Sequence, residues 1–162
     1  MGKVLEEALA GAAGGALGTV VFDQITKVSL KLPEGLQPPA LQEDPGEHMT
    51  WRAEMRMMHP LQPRTHAWVG RGLHWAYGIL WPTLLVIAVR NVRMRRLSVS
   101  LGVGAALGGA VWALGYLGWL PRTHLLEAGM KRRVGRQLVS LASHVAYGAT
   151  SMLPPFAARR LR

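Results

Sequence analysis

The sequence contains no cysteine and few charged residues. The absence of cysteine from the 162 residues excludes disulfides, thiolate metal sites and cysteine nucleophiles. Charged residues make up 17% of the chain and hydrophobic residues 49%, whereas a soluble domain carries about a quarter charged residues. The chain therefore has little polar material for a water-exposed surface.

Charge is missing altogether from two segments. No charged residue lies between Ala8 and Phe22 or between Leu97 and Leu120. The second segment, LSVSLGVGAALGGAVWALGYLGWL, is 24 residues long. At about 1.5 Å per residue, a helix of that length exceeds the roughly 30 Å hydrocarbon core of a bilayer. This segment predicts a transmembrane helix.

Three further segments support the same prediction. Residues 67–89 and 137–158 carry polar residues in their first turns, and residues 5–27 follow the leader MGKVLEE, whose two acids against one lysine are the wrong charge for a secretory signal. We predict an all-α polytopic membrane protein, with one integral membrane domain over residues 1–162. Its four spans cover about 5–27, 67–89, 97–120 and 137–158, and an extramembrane loop covers 28–66.

Arginine-rich segments predict the orientation. The connection RNVRMRR (90–96) and the C-terminal RRLR are typical of cytoplasmic segments, so we expect both termini in the cytoplasm. KRRVGR (131–136) then falls outside and argues against this orientation. Because the arginines adjoin the spans, the pI of about 11.3 indicates binding to anionic lipid headgroups and not to nucleic acid.

Glycines recur at a spacing that favours close helix packing. In the first span Gly11 and Gly15, and also Gly14 and Gly18, stand four residues apart, and in the third span Gly104 and Gly108 do the same. Small residues at this spacing let two helix backbones approach closely in a membrane. We therefore predict that these six glycines pack helices together.

The glycine-rich segments reveal an internal order. GAAGGA (11–16) resembles GAALGGA (104–110), and each is followed by a span that carries His-x-Ala-Tyr-Gly, at 74–78 and at 144–148. The order predicts two similar helical hairpins, related by a pseudo-two-fold axis along the membrane normal.

Polar residues of different spans are predicted to lie at one depth. His74 and His144 each lie seven residues into a span, and Asp23 lies about four before the end of the first, so helix rise places all three near the same membrane face. Tyr116 belongs near this layer. The predicted intramembrane polar cluster comprises Asp23, Arg71, His74, Tyr77, His144 and Tyr147.

Ionisable groups at membrane depth are usually paired or functional. Asp23 is expected to pair with Arg71 or with a protonated histidine. Three interpretations remain open: hydrogen bonds that fix the bundle, a polar cavity for a small solute, a lipid headgroup or protons, and a haem or metal held by His74 and His144. No cofactor is predicted, and the two histidines are weak metal candidates.

The extramembrane loop carries a second weak metal candidate. Its segment 48–59, HMTWRAEMRMMH, contains four of the eight methionines, and thioethers such as those of Met55 and Met58 suit copper(I). A short amphipathic helix at the membrane interface, with Trp51 and the methionines facing the lipid, explains the same residues.

The order AGAAGGALGTVVFDQ, LHWAYGILW, GAALGGAVWALGYLGWLP and SHVAYGATSMLP, with a basic tail, resembles the YagU-like family of small bacterial inner-membrane proteins. The resemblance covers most of the chain apart from residues 35–65. It implies a helical plasma-membrane protein of unassigned activity, with at most a link to acid tolerance. It implies no catalytic residues.

No enzyme motif is present: the chain lacks His-Glu-x-x-His, a phosphate-binding loop and Gly-x-Ser-x-Gly. We expect a non-enzymatic structural or accessory membrane component that packs through its glycine-rich helices, as a homo-oligomer or in a larger complex. The alternatives are a solute or proton pathway centred on Asp23, His74 and His144, and a haem- or metal-binding subunit that uses the two histidines.

Overall fold

The computed structural model describes residues 2–37, 45–92, 94–123 and 134–161. The helices are α1 (Gly2–Ser29), α2 (Pro45–Met57), α3 (Pro63–Ala88), α4 (Leu97–Ala113), α5 (Leu120–Arg122), α6 (Val134–Ser151) and α7 (Leu153–Arg160), with a π-helical segment at Leu114–Trp119 that joins α4 to α5. The predicted all-α fold class is confirmed over these residues. Arg93 and the basic residues 131–133, used above for orientation, lie outside them.

Two helices are long and apolar enough to cross a membrane. They are α1 and the continuous helix Leu97–Arg122, which contains α4, the π-helical segment and α5. The predicted second span, 67–89, falls in α3, where arginines and histidines occupy the first turns.

The predicted fourth span, 137–158, is broken. α6 ends at Ser151 and α7 begins at Leu153, because Pro154 and Pro155 have no N–H to continue the hydrogen-bond ladder of α6. The last eight helical residues therefore start a separate helix.

α1 lies at the centre of the bundle. It packs against α3 on one side and against α6 and α7 on another, while α4 packs against α6 and touches α3 only slightly. The helices follow one another around the bundle in the order α3, α1, α6, α4. The predicted two-fold axis would make the contact between α3 and α4 equivalent to the contact between α1 and α6, and the first of these contacts is much weaker than the second.

Glycines make the contacts of α1 possible. A methyl group added at Gly11 would lie 2.7 Å from the Cα of Thr83, and one at Gly15 would lie 2.6 Å from the Cα of Ile79. Gly14 and Gly18 face α6 instead, against Ser151 and Tyr147. The two glycine pairs therefore form two separate packing faces on one helix.

The same kind of contact joins α4 to α6. Gly104 lies against the carbonyl of Gly148, and Gly108 lies against the carbonyl of His144. Without a side chain at these two positions, the backbone of α4 can lie directly against carbonyl groups of α6.

The helix contacts are offset by one turn from the alignment that predicted an internal repeat. The alignment matches Gly11 with Gly104, but Gly15 is the residue that lies against Gly78, as Gly104 lies against Gly148. Gly78 and Gly148 are the last residues of the two pentapeptides. Packing therefore follows the pentapeptides and not the alanine-glycine runs.

Gly104→Ala is expected to destabilise the bundle, because the new methyl collides with backbone that cannot move without separating α4 from α6. Overpacking of this kind costs about 1–3 kcal/mol. The matched control is Gly102→Ala on the same helix, where an added methyl meets nothing within 4 Å, so that only the higher helix propensity of alanine acts. Unfolding in detergent micelles measures both variants, and equal stabilities would contradict the packing role of Gly104.

Candidate functional site

A hydrogen bond between α6 and α3 lies at the centre of the predicted polar layer. The Tyr147 hydroxyl donates to the carbonyl oxygen of Gly78 over 2.6 Å. Pro82, four residues after Gly78, has no N–H, so the Gly78 carbonyl lacks its intrahelical donor. Tyr147 supplies the missing donor, and the tyrosine of the second pentapeptide thus satisfies the glycine of the first.

Gly18 of α1 leaves room for this bond. A methyl group at Gly18 would lie 2.9 Å from Cδ2 of Tyr147 and 2.7 Å from its carbonyl oxygen. Tyr147 is almost completely buried. Its ring therefore packs against α1 while its hydroxyl bonds to α3, and one side chain fixes three helices relative to one another.

A carboxylate–imidazole pair lies one helical turn away. Nε2 of His74 and Oδ1 of Asp23 are 3.3 Å apart, and the two side chains are 30% and 33% exposed. Asp23 thus pairs with His74, and the guanidinium of Arg71, the other expected partner, lies 5.8 Å over the Trp68 ring.

Phe22 separates the two histidines. Its ring centroid lies 4.8 Å from that of His144 and 6.4 Å from that of His74. Nδ1 of His144 lies 2.8 Å from the Ser140 carbonyl oxygen of its own helix, so that nitrogen donates. A metal or haem iron shared by both imidazoles would need Phe22 to move aside.

The π-helical segment brings Tyr116 against His144. The two rings meet edge to face at 5.7 Å, and Tyr116 stacks on Trp112 at 5.9 Å. A π-helical turn contains more residues than an α-turn and is frequent at functional sites. The π-helical segment was not predicted from the sequence.

The predicted cluster is therefore divided. Asp23 and His74 form one pair, Tyr147 and His144 lie on the other side of Phe22, and Arg71 and Tyr77 are exposed. Among the described residues, no group of three or more His, Cys, Asp or Glu could hold a metal ion. Met55 and Met58, the copper candidates, are 62% and 87% exposed.

A buried ion pair at the opposite end of α1 was not predicted. Arg159 of α7 donates from Nε and Nη2 to Oε2 of Glu7 over 3.1 and 2.9 Å, and from Nη2 to the Val86 carbonyl oxygen over 3.3 Å. The Arg159 and Glu7 side chains are only 17% and 7% exposed. Its place in the C-terminal basic segment had predicted that Arg159 binds lipid headgroups.

No family model, curated protein or solved structure matches the chain. The resemblance to the YagU-like family stays a prediction.

Tyr147→Phe is expected to cost about 1–3 kcal/mol, because it leaves the partly buried Gly78 carbonyl without a donor. In a Pro82→Ala background the cost should shrink, since the alanine restores the intrahelical N–H. Unfolding of the four members of this double-mutant cycle measures the coupling. Tyr77→Phe, in the other pentapeptide, is the matched control. Equal costs of Tyr147→Phe in both backgrounds would contradict the role given to Pro82.

Glu7→Gln is expected to destabilise the protein by about 3–5 kcal/mol, because the Arg159 charge then stays buried without its counter-charge. Adding Arg159→Gln should recover part of this loss. Thermal unfolding measures both, with Arg160→Gln, at the exposed neighbouring arginine, as the control. A double variant less stable than Glu7→Gln alone would argue against the pair.

Proposed function

We propose that the chain is a non-enzymatic integral membrane protein of four spans, arranged as two helical hairpins, α1 with α3 and α4 with α6, and that it serves as a structural or accessory component of a bacterial inner membrane. The hairpins are held together by the contact of α1 with α6 and by the Tyr147–Gly78 bond.

One observation carries this proposal: the packing is inverted relative to a water-soluble bundle. The buried positions of α1 and α4 are mostly glycine, serine and threonine. Large apolar side chains point outward instead, among them Leu9, Leu17, Leu80, Leu84, Leu114 and Leu117. An apolar surface of this extent needs lipid or another protein to cover it.

The buried hydroxyls support the same environment. Thr19 donates to the Gly15 carbonyl and Ser151 to the Tyr147 carbonyl, each over 2.8 Å within its own helix. Such bonds satisfy hydroxyl groups without water, as a hydrocarbon surrounding requires.

The six predicted packing glycines all contact helices of the same chain. A homo-oligomer or a larger complex would therefore use the outward leucine-rich surfaces and not these glycines. We propose an accessory role on this basis, with the termini and the 90–96 segment in the cytoplasm.

Single cysteines test the number of spans, because the chain has none of its own. Three variants carry one cysteine each, in place of Met58, Val92 or Leu161. Each variant is treated with a membrane-impermeant maleimide in intact cells and in lysed cells. Four spans place Val92 with Leu161, both labelled only after lysis, and leave Met58 labelled in intact cells. If only α1 and Leu97–Arg122 cross, Val92 is labelled together with Met58, and the four-span proposal fails. Reversed labelling of all three overturns only the orientation.

A second candidate is a proton or small-solute pathway, favoured by the partial exposure of the Asp23–His74 pair. Asp23→Asn and His74→Gln should then each reduce the flux of protons into proteoliposomes at least tenfold, because each variant lacks a proton-binding group. Glu54→Gln is the matched control, because it removes a carboxylate from another carboxylate–imidazole pair. Oε1 of Glu54 lies 2.7 Å from Nδ1 of His66, outside the four-helix core. Unchanged flux in the two pathway variants would eliminate this candidate.

A further inference from the structure

The acidic and the basic residues of α2 lie on different sides of the helix. Its two acids face α3: Glu54 lies 2.7 Å from Nδ1 of His66, and Glu47 lies so close to Gly70 that an added methyl there would be 2.7 Å from the Glu47 Cγ. Its two arginines, Arg52 and Arg56, are exposed. The acids fix α2 to the bundle, and the outward side is cationic.

The same outward side carries large apolar side chains. Trp51 and Met55 stand four residues apart on one side of α2, and Met58 directly follows the last helical residue. The three side chains are 48%, 62% and 87% exposed. Trp51, Met55 and the two arginines line a shallow open depression. We call Trp51, Arg52, Met55, Arg56 and Met58 the α2 face.

The first turns of α3 continue this surface. Trp68 is exposed and lies under the guanidinium of Arg71, and Arg64 is exposed one turn earlier. The contacts of Glu47 with Gly70 and of Glu54 with His66 run in opposite order along the two helices, so α2 packs antiparallel to the start of α3. It does not extend away from the bundle as an independent segment.

We propose that the α2 face docks on the anionic headgroups of the leaflet at this end of the bundle, with Arg52 and Arg56 on the lipid phosphates and Trp51, Met55 and Met58 in the acyl boundary. This rests on the proposed membrane insertion of the chain. Arginine binds phosphate oxygens in a bidentate manner, and tryptophan is enriched at membrane–water interfaces.

A bilayer fits the α2 face better than an acidic protein does. α2 is held directly beside the start of a proposed span, so the headgroup layer is always within reach. The combination of exposed arginines, tryptophan and methionines on one helical side, with both acids turned away, is typical of interfacial helices on anionic lipid.

The experiment uses the full-length protein with one nitroxide-labelled cysteine at Met58, in zwitterionic detergent micelles titrated with phosphatidylglycerol or with phosphatidylcholine. Phosphatidylglycerol should immobilise the label and reduce its contact with a water-soluble relaxation agent, whereas phosphatidylcholine should not. Each arginine near an anionic surface contributes about 1 kcal/mol. Arg52→Gln and Arg56→Gln should therefore each raise the midpoint, the phosphatidylglycerol concentration at which half of the label is immobilised, by about fivefold.

The matched control is the pair Arg95→Gln and Arg96→Gln, which removes the same charge from exposed positions at the other end of the bundle and should leave the Met58 midpoint unchanged. A label at Leu114, on an outward apolar position, reports insertion by its contact with oxygen.

Loss of the Leu114 signal overturns the membrane proposal itself. Two outcomes with an inserted Leu114 label overturn only the docking proposal. In the first, phosphatidylglycerol does not immobilise the Met58 label; in the second, it does so with the same midpoint in the Arg52→Gln and Arg56→Gln variants. A Met58 label that an acidic peptide immobilises, and that phosphatidylglycerol does not, likewise overturns the docking proposal.

Discussion

The bond from Tyr147 to Gly78 is the constraint on which the arrangement of the helices depends. Pro82 removes the N–H that the Gly78 carbonyl would otherwise accept from, and a carbonyl left unpaired between packed helices is costly. The donor comes from α6, across Gly18 of α1. The N–H that Pro82 lacks therefore explains why a side chain of α6 bonds to α3 across α1.

The two histidine pentapeptides have similar sequences, and their corresponding residues make different contacts. Tyr147 is buried and bonded, whereas Tyr77 is exposed and packs on Trp81. His74 meets Asp23, whereas His144 bonds within its own helix and lies between Phe22 and Tyr116. Similar local sequence thus gives similar helix-to-helix contact and unequal chemistry, because the residues opposite each pentapeptide differ.

Part of this was predictable from the sequence. Long apolar segments of membrane-spanning length predicted the all-helical fold, and helix rise placed Asp23 and His74 at one depth, where the structure pairs them. Two other contacts between distant residues were not predictable. Nothing local links Glu7 to Arg159 across almost the whole chain, and the effect of Pro82 on Gly78 is visible only when Tyr147 is in place. The break at Met152 follows from Pro154 and Pro155, which the predicted fourth span had included.

The Glu7–Arg159 pair also shows how far along the sequence the contacts of the bundle reach. Its two members are 152 residues apart. A contact of such separation closes a long loop, and loop closure costs conformational entropy before the contact can repay it. We therefore expect the pair to form late in folding, once the helices between its members have packed.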